Sequence, residues 1–371
     1  MIDVKDLVSY FESRDIGFFT GVPDSQLSSF CDYIEENCEN IIAANEGNAL
    51  AIATGYNLAT DRYPVVYLQN SGLGNIVNPV TSLTHEKVYS IPIIYIIGWR
   101  GEPGVHDEPQ HIKQGAITPD LLDLLDISHI NITKDSEFNE LVDAFENDFL
   151  EKLNNGESVA IVVSKKAFKD YKIKKENDNI LTREQAIQTI VDHLTEEDIV
   201  VSTTGKSSRE LFEYREALNQ GHGNDFLTVG SMGLSSSIAL GVALNTEKKV
   251  FCFDGDGALL MHMGSIALIG SKKPENFYHV MFNNSAHESV GGLPTIMNQI
   301  EIEDLVLSCG YYKVYNARNL DELKEVLPLF IKDQGPVFLN IDVDISSRKD
   351  LGRPTTTPNE NKNEFKKRLG L

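Results

Sequence analysis

The chain has 371 residues and a formal net charge of −22 at pH 7, from 55 acidic and 33 basic side chains. Such an acidic excess argues against nucleic acid and favours solubility, so an anionic ligand must be met by locally placed positive charge. No apolar run reaches transmembrane length and Met1-Ile2-Asp3-Val4-Lys5-Asp6 has no signal-peptide pattern, so a cytoplasmic protein of two ordinary-sized domains is expected. Cys31, Cys38, Cys252 and Cys309 show no metal or redox spacing, which makes reduced thiols the expectation.

Residues 1–165 read as one α/β layer. An amphipathic helix (4–13) leads to a strand (17–20) and to Gly21-Val22-Pro23-Asp24-Ser25, where Asp24 is placed to cap the next helix. A strand at 41–44 ends on Asn45-Glu46-Gly47-Asn48-Ala49, followed by an Ala-rich helix. A third strand (65–68) ends on Gln69-Asn70-Ser71-Gly72-Leu73-Gly74-Asn75. A fourth (93–97) ends on Gly98-Trp99-Arg100-Gly101-Glu102-Pro103-Gly104. Strands alternating with helices, each strand closing on a polar Gly-rich turn, indicate a parallel sheet with a working C-terminal edge. Glu46 sits on that edge, either as a first-turn glutamate favoured by the helix dipole or as a carboxylate offered to a ligand.

The charged, core-poor run 166–180 reads as a linker between domains. Beyond it, Thr182 is a candidate helix cap, a strand (199–202) leads to Thr203-Thr204-Gly205-Lys206, and Gly230-Ser231-Met232-Gly233 precedes a helix. The next unit carries the chemistry. A buried strand (250–253) breaks at Asp254-Gly255-Asp256-Gly257, a helix starts near Ala258, and a second buried strand (278–282) ends on Asn283-Asn284. A carboxylate and an amide at the ends of adjacent strands lie where open α/β sheets bind ligands, and the glycines admit close backbone approach. Asp256, Asn284 and the carbonyl of Ala286 are hard oxygen donors, the set Mg²⁺ takes when phosphate oxygens complete its shell. A strand (312–315), a helix (320–330) and a strand (337–343) follow, and the polar tail from Arg348 reads as loosely ordered.

Competing motifs fail on single residues. Ala258 stands where an EF-hand needs an oxygen ligand, and Leu260 where a dinucleotide fingerprint needs its third glycine. Val200 replaces the first glycine of a P-loop at Gly205-Lys206-Ser207-Ser208, although Lys206 and Arg209 still sit just after a strand end.

The order strand, Gly-Asp-Gly, helix, strand, Asn-Asn resembles the diphosphate-binding motif of thiamine diphosphate (ThDP) decarboxylases. The blocks at 21–25, 69–75, 98–104 and 255–264, with Thr204-Gly205-Lys206, resemble those of the phosphonopyruvate decarboxylase branch. Sulfopyruvate decarboxylases share the layout. Asn283 and Ser285 stand where that branch has Asp and Gly around the ligand Asn, and Leu293 where Gln is usual.

The resemblance implies two doubly wound parallel-sheet domains of the ThDP-binding type. These are a pyrimidine-binding domain (1–165) and, after the linker, a diphosphate-binding domain (181–371), with no middle domain. It implies ThDP and Mg²⁺ as cofactors and decarboxylation of 3-phosphonopyruvate to phosphonoacetaldehyde, in phosphonate biosynthesis of the 2-aminoethylphosphonate type. Sulfopyruvate decarboxylation and a non-catalytic ThDP-binding scaffold are the alternatives. Glu46 would address the aminopyrimidine; Gln69, Asn70, Ser71, Thr204, Gly205, Gly230, Ser231, Met232, Gly255, Gly257 and Ala258 would line the cofactor, Met232 as its apolar prop. Asp24, His106, Asp107, His111 and His287 are candidates for proton handling. Asp24, Ser25, Lys206, Arg209, Ser289, Gly291 and Gly292 are candidates for the substrate, since a phosphonate needs charged or N–H donors. A homodimer or higher homo-oligomer is implied, with each site drawn from two subunits.

Overall fold

A computed structural model describes residues 1–371, which divide into two compact units, Met1–Lys174 and Lys175–Leu371. The first holds six parallel strands: β1 (Phe18–Gly21), β2 (Glu39–Ile42), β3 (Val65–Gln69), β4 (Ile94–Gly98), β5 (Ser128–Ile132) and β6 (Val159–Val163). They lie side by side in the order β2-β1-β3-β4-β6-β5. The central strands β4 (Ile-Tyr-Ile-Ile-Gly) and β6 (Val-Ala-Ile-Val-Val) are buried at every position, as expected of a parallel sheet covered on both faces. The Val4–Glu12 helix buries Val4, Leu7, Val8 and Phe11, one face at helical spacing, and Asp3 caps it.

The second unit has β7 (Ile199–Ser202), β8 (Asp225–Leu227), β9 (Val250–Gly255), β10 (Phe277–Asn283), β11 (Lys313–Ala317) and β12 (Val337–Asp342), in the order β11-β12-β10-β9-β7-β8. Counted within each unit from its own first strand, both sheets run second, first, third, fourth, sixth, fifth. Strand order therefore reverses direction between β1 and β3 in one sheet and between β7 and β9 in the other. At such a reversal the loops leaving the strand ends part to opposite faces and leave a crevice for a ligand. No helix is long and apolar enough to cross a membrane, and the four cysteines are free thiols.

Two expectations need correction. The tail from Arg348 is not loose throughout: Pro358–Arg368 is a helix with a Thr357/Glu360 capping box, and it buries Asn361 and Phe365. The Asn361 amide accepts from Leu227 N (3.1 Å) and donates to Asp225 O (2.8 Å), tying the tail to strand β8. The start signal, Thr-Pro followed by Glu at the third helical position, is present in the sequence but is masked by the polar composition around it. The run 166–180 holds the boundary between the two units and is bonded to each at its own end. Ala167 O accepts from Ile2 N and Tyr171 N donates to Ser29 Oγ within the first unit. Asn177 and Asn179 donate to Val343 O within the second. Finally, Asp24 does not cap a helix. The helix begins at Ser28 with Leu27 in the cap position, and Asp24 Oδ2 instead accepts from Gln26 N (3.0 Å) in the preceding turn.

Candidate active site

In the first unit, the loops after β1, β2, β3 and β4 carry the polar residues. Asn45 caps the Glu46–Thr60 helix by accepting from Asn48 N, which places Glu46 at the first helical position, 4% exposed. Glu46 Oε2 accepts from Asn75 Nδ2 at 2.7 Å. Gly72 leaves the space that the carboxylate fills, because a Cβ there would overlap it. The block 69–75 thus shapes the glutamate's pocket. Asn70 is a brace within it: its amide accepts from Arg100 N (3.1 Å) and donates to Arg100 O (2.8 Å) and Thr118 Oγ1 (2.9 Å). Gln69 Nε2 donates to Ser71 Oγ, on an exposed stretch.

Asp24 is wholly buried beneath Gly98, whose missing Cβ makes room for Oδ2, and its Oδ1 has no partner. Burial raises its pKa to about 6, against the opposing pull of Arg100 and the N–H groups of Gln26, Ser25 and Leu27. Arg100 grips Asp107 with two bonds (Nε to Oδ2 2.8 Å, Nη2 to Oδ1 2.6 Å) and donates to Ser25 Oγ (3.1 Å). Burial pushes Asp107 upward, but the bonds from Arg100 and Gly101 N outweigh it and bring its pKa down to about 2. That carboxylate is thus held paired with Arg100. His111 is lowered to about 4, first by burial and then by Arg100. His106 is exposed.

In the second unit, β9 ends at Gly255 and β10 at Asn283, paired so that Phe282 lies opposite Gly255. Asp256, 3% exposed, opens the Asp256–Met261 helix, and its Oδ2 accepts from Thr295 Oγ1 at 2.5 Å. Burial raises its pKa to about 6, opposed by Thr295 and by the N–H groups of Gly257 and Ala286. Asn284 Oδ1 accepts from Ala286 N (3.1 Å) and its Nδ2 donates to Glu288 Oε2 (3.2 Å). His287 is buried with Nδ1 unpartnered, and burial lowers it to about 4. A Cβ on Gly257 would stand 2.9 Å from that nitrogen and 3.3 Å from Met232 Cε, so Gly257, His287 and Met232 meet at one point. Gly205 packs against Ser289, where a Cβ would come within 2.7 Å of Oγ.

The structure therefore brings Asp256, Ala286, Gly257, His287 and Met232 into one group, and Asn284, Lys206, Gly205 and Ser289 into another that meets it at Glu288. Gly291 and Gly292 carry positive φ in the same turn, with Lys175 donating to Gly291 O. Thr204, Gly230 and Ser231 lie on loops of the same unit, Ser231 in the left-handed region, and Ala258 lies within the Asp256–Met261 helix. Lys206 is no free cation, since Nζ donates to Glu288 Oε1 at 2.7 Å, whereas Arg209 has no ion pair. Behind the loop, Asp254 is wholly buried. It accepts from Ser235 Oγ and Gly255 N and faces His279 Nε2 at 3.3 Å, and His279 meets Tyr311 OH at 3.0 Å.

Sequence reasoning passed over Asn75, Gly72, Arg100, Thr295, Arg183 and Glu288. The first three sit inside blocks already marked by composition. Thr295, Arg183 and Glu288 carry no local signal, because their partners are distant along the chain.

The two six-stranded parallel sheets coincide with the two domains of a thiamine pyrophosphate enzyme. The N-terminal thiamine pyrophosphate-binding domain model matches residues 4–127 and the C-terminal one residues 203–341. A phosphonopyruvate decarboxylase of Streptomyces viridochromogenes is 33% identical over 99% of this chain and 94% of its own length, and one of Streptomyces hygroscopicus is 31% identical over the same shares. A sulfopyruvate decarboxylase of Methanosarcina acetivorans is 27% identical over 88% of this chain and 87% of its own. The chain belongs to the phosphonopyruvate decarboxylase family of thiamine pyrophosphate-dependent carboxy-lyases.

Proposed function

We propose that the chain decarboxylates 3-phosphonopyruvate to phosphonoacetaldehyde and CO₂ with ThDP and Mg²⁺, as a step in the making of 2-aminoethylphosphonate-type phosphonates. The observation that carries this reading is the likeness to two phosphonopyruvate decarboxylases along the whole chain, with Glu46, Asp256 and Asn284 all in place.

The residues fit the cofactor. The buried Asp256 carboxylate has one side-chain partner, the unpartnered His287 Nδ1 abuts Gly257, and the missing Cβ of Gly257 lets His287 and Met232 close on the loop. Asp256, the Asn284 side-chain oxygen and the Ala286 carbonyl would hold Mg²⁺, a hard cation that takes few protein ligands when a diphosphate is bound. When bound, thiamine diphosphate supplies the nucleophilic carbon and the electron sink that a 2-oxo acid needs to lose CO₂. Glu46, held by Asn75 and given room by Gly72, presents a carboxyl group to an aminopyrimidine. Met232 supplies an apolar support beside Gly257. Asp24, with a pKa near 6, is suited to hold and return a proton close to neutral pH. Ser25, Lys206, Arg209, Ser289, Gly291 and Gly292 supply the hydroxyl, charged and N–H donors for the phosphonate. Glu46 and Asp256 both occur on this polypeptide, so a homodimer would create two equivalent sites from one self-complementary interface.

The test is a product assay with ThDP and Mg²⁺, comparing phosphonopyruvate, sulfopyruvate and pyruvate. Release of phosphonoacetaldehyde with phosphonopyruvate as the fastest substrate is expected. Faster turnover of sulfopyruvate would replace the substrate assignment, and ThDP binding without any turnover would favour a scaffold.

A further inference from the structure

Glu288 is the junction of the second unit's polar groups. Oε1 accepts from Lys206 Nζ at 2.7 Å; Oε2 accepts from Arg183 Nη1 at 2.5 Å and from Asn284 Nδ2 at 3.2 Å. Arg183 is held in turn by Glu210, with Nε to Oε2 at 2.7 Å and Nη2 to Oε1 at 2.8 Å. Two cations and two carboxylates thus balance. The side chains of Glu288, Arg183 and Glu210 are 8%, 7% and 2% exposed, whereas that of Lys206 is 27% exposed. The buried members are fixed, and the ammonium of Lys206 is the part that an incoming anion can reach. Such an anion meets a carboxylate already bound to the same ammonium.

That geometry separates two acids of similar shape. A sulfonate at neutral pH has only acceptor oxygens, so it gains Lys206 but faces Glu288 acceptor to acceptor with like charge. A phosphonate loses its second proton near neutrality, as phosphate esters do, so it can approach as a monoanion that keeps one P–O–H. We propose that Glu288 is a specificity-determining residue that accepts a hydrogen bond from this P–O–H while Lys206 donates to an unprotonated oxygen. The site then reads a proton-bearing oxyanion rather than charge alone. This rests on the phosphonate binding at Lys206, as in the reading above. Arg183, Lys206, Glu210 and His287 surround Glu288, with Lys175 on the same turn, and the Glu210 carboxylate is taken up by Arg183.

The experiment compares kcat/KM for phosphonopyruvate and sulfopyruvate in the wild type and Glu288→Gln, at saturating ThDP and Mg²⁺. Both substrates use the same holoenzyme, so any loss of cofactor through the Asn284 contact cancels in the ratio. The phosphonate preference should fall by about tenfold or more, chiefly because sulfopyruvate improves once the like charge is gone. Lys206→Met should weaken both substrates. An unchanged ratio in Glu288→Gln overturns the inference while leaving the decarboxylase reading intact; absence of turnover of either substrate by the wild type overturns that reading instead. A second measurement needs neither variant nor turnover: calorimetric binding of methylphosphonate and methanesulfonate to the wild-type holoenzyme across pH 6–9. The affinity ratio should move toward methanesulfonate as the phosphonate loses its last proton. A ratio moving toward methylphosphonate would mean that the dianion is preferred and would refute the proposal.

Discussion

The two units share one strand order, yet the loops at matching strand ends carry different side chains. After the first strand come Asp24 in one and Lys206 in the other; after the second, Glu46 and Met232; after the third, Asn70 and Asp256; after the fourth, Arg100 and Asn284. In the first unit buried carboxylates sit in spaces cleared by Gly72 and Gly98, with few partners, which suits groups that exchange protons. In the second, Arg183, Lys206, Glu210 and Glu288 form a closed ionic network beside hard oxygen donors, which suits holding charge. A shared fold decides where a site forms, and the loop residues decide what it does.

The comparison can be broken at its strongest points first. Glu46→Gln should keep ThDP affinity but lose roughly 10²–10⁴ in kcat, since a proton-linked contact is removed and little binding surface changes. Steady-state rates at saturating cofactor check this, and a near wild-type rate would remove Glu46 from the mechanism. Asp256→Ala should do the reverse, weakening ThDP–Mg²⁺ binding by about a hundredfold with the fold retained, as read by calorimetric titration and circular dichroism. Undiminished affinity would rule out the metal assignment. Gly72→Ala sharpens the contrast: its methyl would displace the Glu46 carboxylate and should lower kcat by about 10²-fold, with ThDP affinity little changed.

The last effect is on stability. The Asp24 pKa is raised from 3.8 to about 6, so the folded state binds more protons than the unfolded state between those values. Its contribution is present below about pH 4, declines as pH rises to about 6, and stays lost above that. Asp24→Asn should therefore raise the unfolding free energy at pH 8 by an amount on the order of 3 kcal/mol at most, seen as a higher thermal midpoint, and change it little near pH 4. An equal gain at both pH values would assign the effect to packing instead of charge.

Much of this was legible from residues alone. Strand-then-glycine punctuation located the polar edges, and Gly255-Asp256-Gly257 with Asn284 marked the ends of two strands that the fold sets side by side. Strands β5, β6 and β8 lay outside the sequence reading because short strands beside helical stretches carry little periodicity. The helix Pro358–Arg368 escaped because burial of Asn361 and Phe365 against β8 is a long-range fact. Pairings such as Arg183 with Glu288, 105 residues apart, are set by the fold and leave no trace in local pattern. The same holds for Asp24: its position after a strand was visible, but its lack of a partner and its raised pKa come from the packing around it.

The proposed homodimer would complete each site with Glu46 of one chain and Asp256 of the other. Mixing inactive Glu46→Gln chains with inactive Asp256→Ala chains, under conditions that exchange subunits, tests it most directly. Half the dimers formed would be mixed and each would hold one intact site, so activity should return to about a quarter of the wild-type level. A fully exchanged mixture that stays inactive would contradict the claim.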